Sequence, residues 1–313
     1  MNILITGVHG FVGKNLVRSL GKQHSVYGVD IVAPKQERVV TTFSWNDLDK
    51  IGGMDAVIHL AGKAHDMKNA ASTNEYFEVN TGLTKRAFDY FLASSAKRFV
   101  FFSSVKAVAD HVEGDELRED AAAHPVGPYG ESKRAAEEYI LERTSECELE
   151  GKKVYVLRCC MIHGPGNKGN LNLLYDVVRH GWPWPLGAFE NRRSFAAVEN
   201  VCFAVDRLVD LDVESGVYHV ADDEALSTNE LIRVMCEAME KKARIWKISR
   251  TFMRGCAKAG TWFGLPLNEE RLGKLTENFV VSNEKLKAAL GVERMPVEAR
   301  EGIRRTVKSF INN

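Results

Sequence analysis

Apolar positions in the first half of the chain recur in two alternating rhythms. Short apolar runs at 2–6, 25–30, 54–62, 98–104 and 154–158 read as buried strands. Between them, apolar residues fall at helical spacing. Phe11, Val12, Leu16, Val17 and Leu20 form one such stripe, and further helices are expected over 78–92 and from Tyr129 to Leu141. Uninterrupted βαβ alternation predicts an α/β fold, a doubly wound parallel sheet. The rhythm stops after Ile162-His163-Gly164-Pro165-Gly166-Asn167-Lys168-Gly169-Asn170. Trp182-Pro183-Trp184-Pro185 and Arg192-Arg193-Ser194-Phe195 read as loop and short strand. A helix over 198–210 and a strand over 216–220 predict a return to the sheet, and 227–313 reads as mostly helical with a loop near 260–270. The expected organisation is a sheet domain over 1–163, rejoined by 192–221. A smaller, mostly helical C-terminal lobe is expected from 164–191 and 222–313.

Charge narrows the partners. Lys+Arg and Asp+Glu both number 42, so the formal net charge is zero and composition implies no face for nucleic acid. No apolar run is long enough to span a bilayer. The N-terminus enters a strand directly, without a targeting segment, so no membrane partner is expected. Six cysteines occur, none in C-x-x-C and none at zinc spacing with histidine. They read as reduced core thiols of a cytoplasmic protein, with no metal.

Candidate chemistry lies where strands end. The turn Gly7-Val8-His9-Gly10-Phe11-Val12-Gly13 sits between a strand and a helix, the context of a dinucleotide fingerprint, although its spacing is G-x-x-G-x-x-G. Its glycines allow close backbone approach, and the helix N-terminus offers unpaired N–H groups to a pyrophosphate. Asp30, about twenty residues on, stands where a carboxylate accepts hydrogen bonds from the adenosine ribose and repels a 2′-phosphate, favouring NAD over NADP. Leu60, Ala61 and Gly62 end the third strand at the same crevice. His59 reads as a satisfied core histidine. Ser103 and Ser104 end the fourth strand, and either hydroxyl is a candidate at the mouth of the sheet. Tyr129 and Lys133, four residues apart on a helix, bring phenol and ammonium to one face. A neighbouring cation favours phenolate, whose ordinary pKa is about 10.

Glycine turn, acidic strand end, serine and Tyr-x-x-x-Lys, in that order, resemble the extended short-chain dehydrogenase/reductase family of nucleotide-sugar epimerases, dehydratases and ketoreductases. The resemblance implies a Rossmann domain binding NAD through Gly7, Gly10, Phe11, Val12, Gly13, Asp30, Leu60, Ala61, Gly62, Asn80, Ser103, Tyr129 and Lys133. It implies Ser104 on the reacting oxygen and Tyr129 as general base and acid. Lys133 would hold the ribose hydroxyls and lower the Tyr129 pKa. Ser103-Ser104-Val105-Lys106 is similar to a Ser-Ser-Ile-Lys of surface-polysaccharide enzymes. It permits alignment on either serine, with Ser104 favoured. Arg193 matches an arginine that contacts the substrate diphosphate, and Asn170 is a second implied substrate contact. A homodimer through helices near 83–95 and 129–143 is also implied.

Two positions depart from the family pattern. Val105 and Lys106 occupy places where 4,6-dehydratases carry Asp-Glu, which disfavours dehydration. Met161 or Ile162 stands where many of the epimerases have asparagine. Three readings follow: a UDP-hexose C4 epimerase acting through a 4-keto intermediate, an NAD(P)H-dependent 4-ketoreductase of a 4-keto-6-deoxy UDP-sugar for surface polysaccharide, and a catalytically silent NAD-binding regulator.

Overall fold

The structure, a computed structural model, describes residues 1–63, 72–167, 171–265 and 267–311. Its strands are β1 (Asn2–Thr6), β2 (Ser25–Val29), β3 (Val39–Phe43), β4 (Ala56–His59), β5 (Arg98–Ser104), β6 (Lys153–Cys159), β7 (Met161–His163), β8 (Phe195–Ala197) and β9 (Gly216–Val220). Seven of them form one sheet in the order β3-β2-β1-β4-β5-β6-β9, every neighbouring pair parallel. The chain builds outward from β1 through β2 to β3, then crosses back to β4. The strand order therefore reverses between β1 and β4, and open parallel sheets bind ligands at such a reversal.

Helices α1 (Phe11–Leu20), α2 (Thr73–Tyr76), α3 (Leu83–Ala93), α4 (Gly127–Leu141) and α5 (Thr144–Leu149) precede β6. They are followed by α6 (Leu171–Arg179), α7 (Val198–Asp210), α8 (Thr228–Ala238), α9 (Arg250–Phe263), α10 (Glu269–Thr276), α11 (Glu284–Leu290) and α12 (Ala299–Ile311). Strand residues alternate between the two faces of the sheet. Ile3, Ile5, Val100 and Tyr155 belong to the core that α1 and α7 cover, whereas Leu4, Phe99, Phe101 and Val156 belong to the core under α3 and α4. A third core joins α6, α8, α9, α10 and α12 through Leu171, Leu231, Met253, Leu272 and Ile303.

Several elements differ from the pattern-based expectation. The run at 54–62 contributes only four strand residues, and Leu60–Gly62 leave the sheet as a loop. Edge strand β3 was not anticipated, because its Thr41 and Thr42 break the apolar run. The helix expected over 78–92 begins earlier as α2 and passes through a π-helical segment, Phe77–Gly82, before α3. Apolar spacing carries no mark of one extra residue in a turn. Pro128 in the first turn starts α4, where its missing N–H leaves no hydrogen bond unmade.

Candidate active site

Gly7 follows β1 at φ +71, and a Cβ there would stand 2.9 Å from the Ala61 nitrogen. A Cβ on Gly13 would stand 2.5 Å from the Gly7 and Val8 carbonyl oxygens. Both positions need glycine, one for backbone conformation and the other for close approach of helix to turn. Gly10 is the N-cap of α1. It provides no side-chain cap, and the first turn has no acidic residue. The donors of that turn remain available, so the cradle fits an anionic pyrophosphate. Phe11 faces the Gly164–Gly166 turn, and Asn15 donates to the Pro165 carbonyl at 3.3 Å, docking that turn on α1. Val12 packs against the core beneath.

Asp30 lies just past β2. Its carboxylate accepts from the His9 backbone N–H at 3.0 Å and from Ile31 N–H at 2.7 Å. The carboxylate is thus fixed beside the glycine turn. Ala61 N–H donates to the Thr6 hydroxyl at 3.2 Å, and Leu60 N–H to the Thr6 carbonyl at 3.2 Å. These contacts hold Leu60–Gly62 against the same turn. His59 is fully buried between the Thr6 and Thr84 hydroxyls, at 2.6 and 2.9 Å. Burial first, and the Lys133 charge second, push its pKa down to about 3. It is a neutral core histidine.

Beside this crevice stands a second cluster. The Ser104 hydroxyl hydrogen-bonds the Tyr129 phenol. Lys133 Nζ donates to the Phe102 carbonyl at 2.8 Å. A Cβ on Gly62 would stand 3.0 Å from Asn80 Oδ1 and 3.1 Å from Lys133 Nζ. Asn80, fully buried in the π segment, accepts from Lys63 N–H at 2.7 Å and donates to the Ser132 hydroxyl at 3.0 Å. π segments are frequent at functional sites because the widened turn redirects one side chain. Here it turns Asn80 towards Gly62 and Lys133.

The two serines part company. Ser103 donates to Glu137 Oε1 at 2.6 Å, and Arg158 binds the same fully buried carboxylate at 2.8–3.2 Å. Consecutive strand residues face opposite sides of a sheet. The Ser103 hydroxyl therefore serves a buried ion pair under α4, and only Ser104 reaches Tyr129. The expectation of a Ser103 hydroxyl in the crevice is corrected by that pairing.

The electrostatics also differ from the sequence reading. Crowding around its hydroxyl raises the Tyr129 pKa above the ordinary value, and the Ser104 hydrogen bond opposes the rise. The Lys133 ammonium is also enclosed, and burial brings its pKa down from 10.5 to about 8. Tyr129 is accordingly a phenol at neutral pH. Cys159 also lies near Lys133, but burial pushes its thiol up to about 12, so it offers no thiolate. The Tyr76 ring meets Tyr129 edge-on at 6.4 Å. Neither Cys159 nor Tyr76 carries a motif that the sequence could have revealed.

Arg193 lies in the segment before β8. Its backbone pairs with Leu226 at 2.9 Å in both directions, and its guanidinium donates to the Lys274 carbonyl. Burial lowers its pKa, while Glu277, Cys160 and Asp110 oppose the shift. A cavity of about 430 Å³ lies against α9 and α10, lined by Phe189, Glu190, Arg250, Arg254, Glu269 and Glu277 among others. Asn170 lies outside the described residues.

Known proteins share this plan. A UDP-glucose 4-epimerase of Vibrio cholerae is 28% identical, over 99% of this chain and 95% of its own length. An Escherichia coli O157:H7 protein, N-acetyl-alpha-D-glucosaminyl-diphospho-ditrans,octacis-undecaprenol 4-epimerase, is 27% identical over 77% of this chain and 73% of that one. The crystal structure of a UDP-N-acetylglucosamine 4-epimerase from Bacillus cereus superposes with a TM-score of 0.78 at 17% identity, covering 100% of both chains, which is a likeness of fold. Residues 3–221 match the profile of the NAD dependent epimerase/dehydratase family. With the glycine cradle, Asp30 and the Ser104–Tyr129–Lys133 cluster in one crevice, the chain belongs to that family of enzymes, and its cofactor is NAD.

Proposed function

We propose that the protein is a C4 epimerase of a UDP-hexose, working in the cytoplasm as a homodimer. The observation that carries this reading is the Ser104–Tyr129 hydroxyl pair at the end of β5, with Lys133 one helical turn on. Bound NAD supplies a hydride acceptor that returns the hydride later, together with a positive charge on its oxidised ring. The chain's own groups do the rest. Ser104 hydrogen-bonds the C4 oxygen and keeps it in line with the phenol. With the positive charge of the oxidised ring beside it favouring the phenolate, Tyr129 would remove the C4 hydroxyl proton as that carbon is oxidised and give it back when the 4-keto sugar is reduced on its other face. Lys133 and Asn80 fix the ribose side of the cofactor.

Two further observations support the choice. Val105 is buried, and the Lys106 ammonium is tied to Asp110 at 2.5 Å, so neither position supplies the acid or base that eliminating water requires. The similarity to a UDP-glucose 4-epimerase extends over nearly the whole of both chains. On the lobe side, Arg193, Arg254 and the Phe189 ring suit a nucleoside diphosphate, with charge for the diphosphate and an aromatic face for the base. The division into a cofactor domain and a substrate lobe, with the sugar bridging them, belongs to the same proposal.

A ketoreductase is the second reading, favoured by one finding. Tyr129 rests as a phenol, the form that donates a proton to a ketone. One assay separates the two. The protein is incubated with UDP-glucose, UDP-N-acetylglucosamine or their 6-deoxy forms, without added NADH. An epimerase gives both C4 epimers by anomeric proton NMR, with no net absorbance change from NADH. No epimer, with stoichiometric NADH oxidation by a 4-keto-6-deoxy UDP-sugar, establishes the reductase instead.

A further inference from the structure

The balanced composition conceals a segregated charge. Residues 241–268 contain seven Lys and Arg and no Asp or Glu, leaving 35 of the 42 cations against all 42 carboxylates elsewhere. The seven are Lys241, Lys242, Arg244, Lys247, Arg250, Arg254 and Lys258. Among the described residues, none of them is ion-paired, whereas cations elsewhere in the chain often are. A chain of zero net charge thus contains one strongly basic segment.

Helix α9 runs through that stretch, and its residues sort into three stripes at helical spacing. Met253, Ala257 and Gly260 form the buried stripe. Gly260 is required there, since a Cβ would meet the Leu267 carbonyl oxygen at 1.8 Å. Arg250, Arg254 and Lys258 form a basic stripe. Phe252, Cys256, Ala259 and Phe263 form an apolar stripe that faces solvent. Trp262, beside the last of these, is 84% exposed and Phe263 75%. Leu265 and Trp246 are exposed as well. Large rings in water on one face of a helix, with cations on the opposite face, are the pattern of a segment lying in a membrane interface, not across it. No described helix is long and apolar enough to cross a membrane, which leaves surface attachment untouched.

We propose that α9 and the basic segment before it bind the surface of an anionic lipid bilayer. The Phe252–Phe263 stripe, Trp262 and Leu265 would enter the headgroup boundary, with exposed Lys241, Lys242, Arg244, Lys247 and Lys258 over lipid phosphates. Charge complementarity selects this occupant. Exposed cations such as Lys242, Arg244, Lys247 and Lys258, which have no ion pair among the described residues, want an anionic partner, and aliphatic Leu265 together with a continuous apolar stripe wants hydrocarbon. Stacked bases would meet rings but leave Leu265 unsatisfied. A second copy of the chain would bring the same positive charge to the contact. The inference stands independently of which sugar the enzyme transforms.

Sedimentation of the full-length protein with vesicles tests this. The protein should pellet with phosphatidylglycerol–phosphatidylcholine vesicles and stay in solution with pure phosphatidylcholine. Tryptophan emission should shift to the blue on binding, and salt should reverse it. Trp262→Ser with Phe263→Ser should weaken binding at least about tenfold, because attachment scales with buried apolar area. Lys247→Glu with Lys258→Glu should weaken it about fivefold per cation and reduce its salt dependence. Both pairs are exposed, and unchanged thermal midpoints and NADH affinity confirm folding. The proposal is overturned by any of three results: no binding to anionic vesicles, variants that bind like wild type, or a face that instead retains single-stranded RNA or self-associates without binding vesicles.

Discussion

The crest of the sheet and the face of α9 hold charge in opposite ways. At the crest the ions beside Tyr129 are buried and hydrogen-bonded. Lys133 is tied to the Phe102 carbonyl, and Glu137 takes Arg158 and Ser103. On α9 the cations are exposed and have no ion pair among the described residues, and Phe252, Trp262 and Phe263 face water. Enclosure fixes atoms to within the tolerance of a hydrogen bond and shifts pKa values, which is what bond making needs. Exposure leaves charge non-directional, which suits adhesion to an extended surface. The two regions should therefore respond to substitution differently, and the size of each response measures how far the contrast holds.

Tyr129→Phe should give the largest effect. It deletes one oxygen from the enclosed cluster, and kcat should fall by about two to four decades, the usual worth of a positioned acid/base. NADH affinity and vesicle sedimentation should be unchanged. A variant within threefold of wild type would remove Tyr129 from the chemistry.

Lys133→Met comes next and is read in stability. The folded-state pKa of Lys133 is about 8 against 10.5 for the free group, because burial disfavours the charged form. Between those values the unfolded chain binds more protons, so the group makes stability rise with pH across that window. Below about pH 8 the full penalty is present. A gap of this size corresponds to on the order of 3 kcal/mol. Lys133→Met should therefore stabilise the fold at pH 7 while abolishing activity, and the gain should vanish above pH 10.5. Urea denaturation of both proteins at several pH values measures it. A loss of stability at pH 7 would mean that the hydrogen bond to Phe102 outweighs the burial of charge.

Much of the sheet was legible because its signals are local. Gly7 and Gly13 mark backbone constraints that no other residue meets, and β5 announces itself as Phe99-Val100-Phe101-Phe102. The limits of α7 and β9 coincide with the expected 198–210 and 216–220. What could not be read depends on distant partners. Ser103 and Ser104 are chemically identical, and only Glu137 and Arg158, brought together across α4 and β6, separate them. The Asn80 placement depends on a π turn, and the Tyr129 pKa on crowding from several elements. The basic stretch at 241–268 was visible in the letters, yet whole-chain totals cancelled it.

The adjacent serines offer a smaller and sharper test. Ser104→Ala should lower kcat by about one to two decades with little change in stability, since it removes a donor to the reacting oxygen. Ser103→Ala should do the reverse. Removing a donor from a buried carboxylate should cost about 1–3 kcal/mol of stability, with kcat within threefold. Matched denaturation and steady-state measurements on both variants decide it. If Ser103→Ala lost kcat and kept stability, the assignment of the two hydroxyls would be inverted.

Asp30 should give the smallest effect, because it is an enclosed anion facing a partly open site. Its oxygens accept from His9 and Ile31 N–H groups at 3.0 and 2.7 Å, which fixes the carboxylate beside the glycine turn without using all of its lone pairs. A ribose with two hydroxyls can donate to the remaining ones. A 2′-phosphate would instead bring like charge against a carboxylate that cannot swing away. Wild type should accordingly bind NADH more tightly than NADPH. Asp30→Ala should weaken NADH by about tenfold, the loss of a charge-assisted hydrogen bond, and leave NADPH unchanged or improved. Fluorescence titration of both cofactors reads the ratio directly. Equal affinities in the wild type would show that the carboxylate serves only to close the His9 turn, and that cofactor choice is made elsewhere in the crevice.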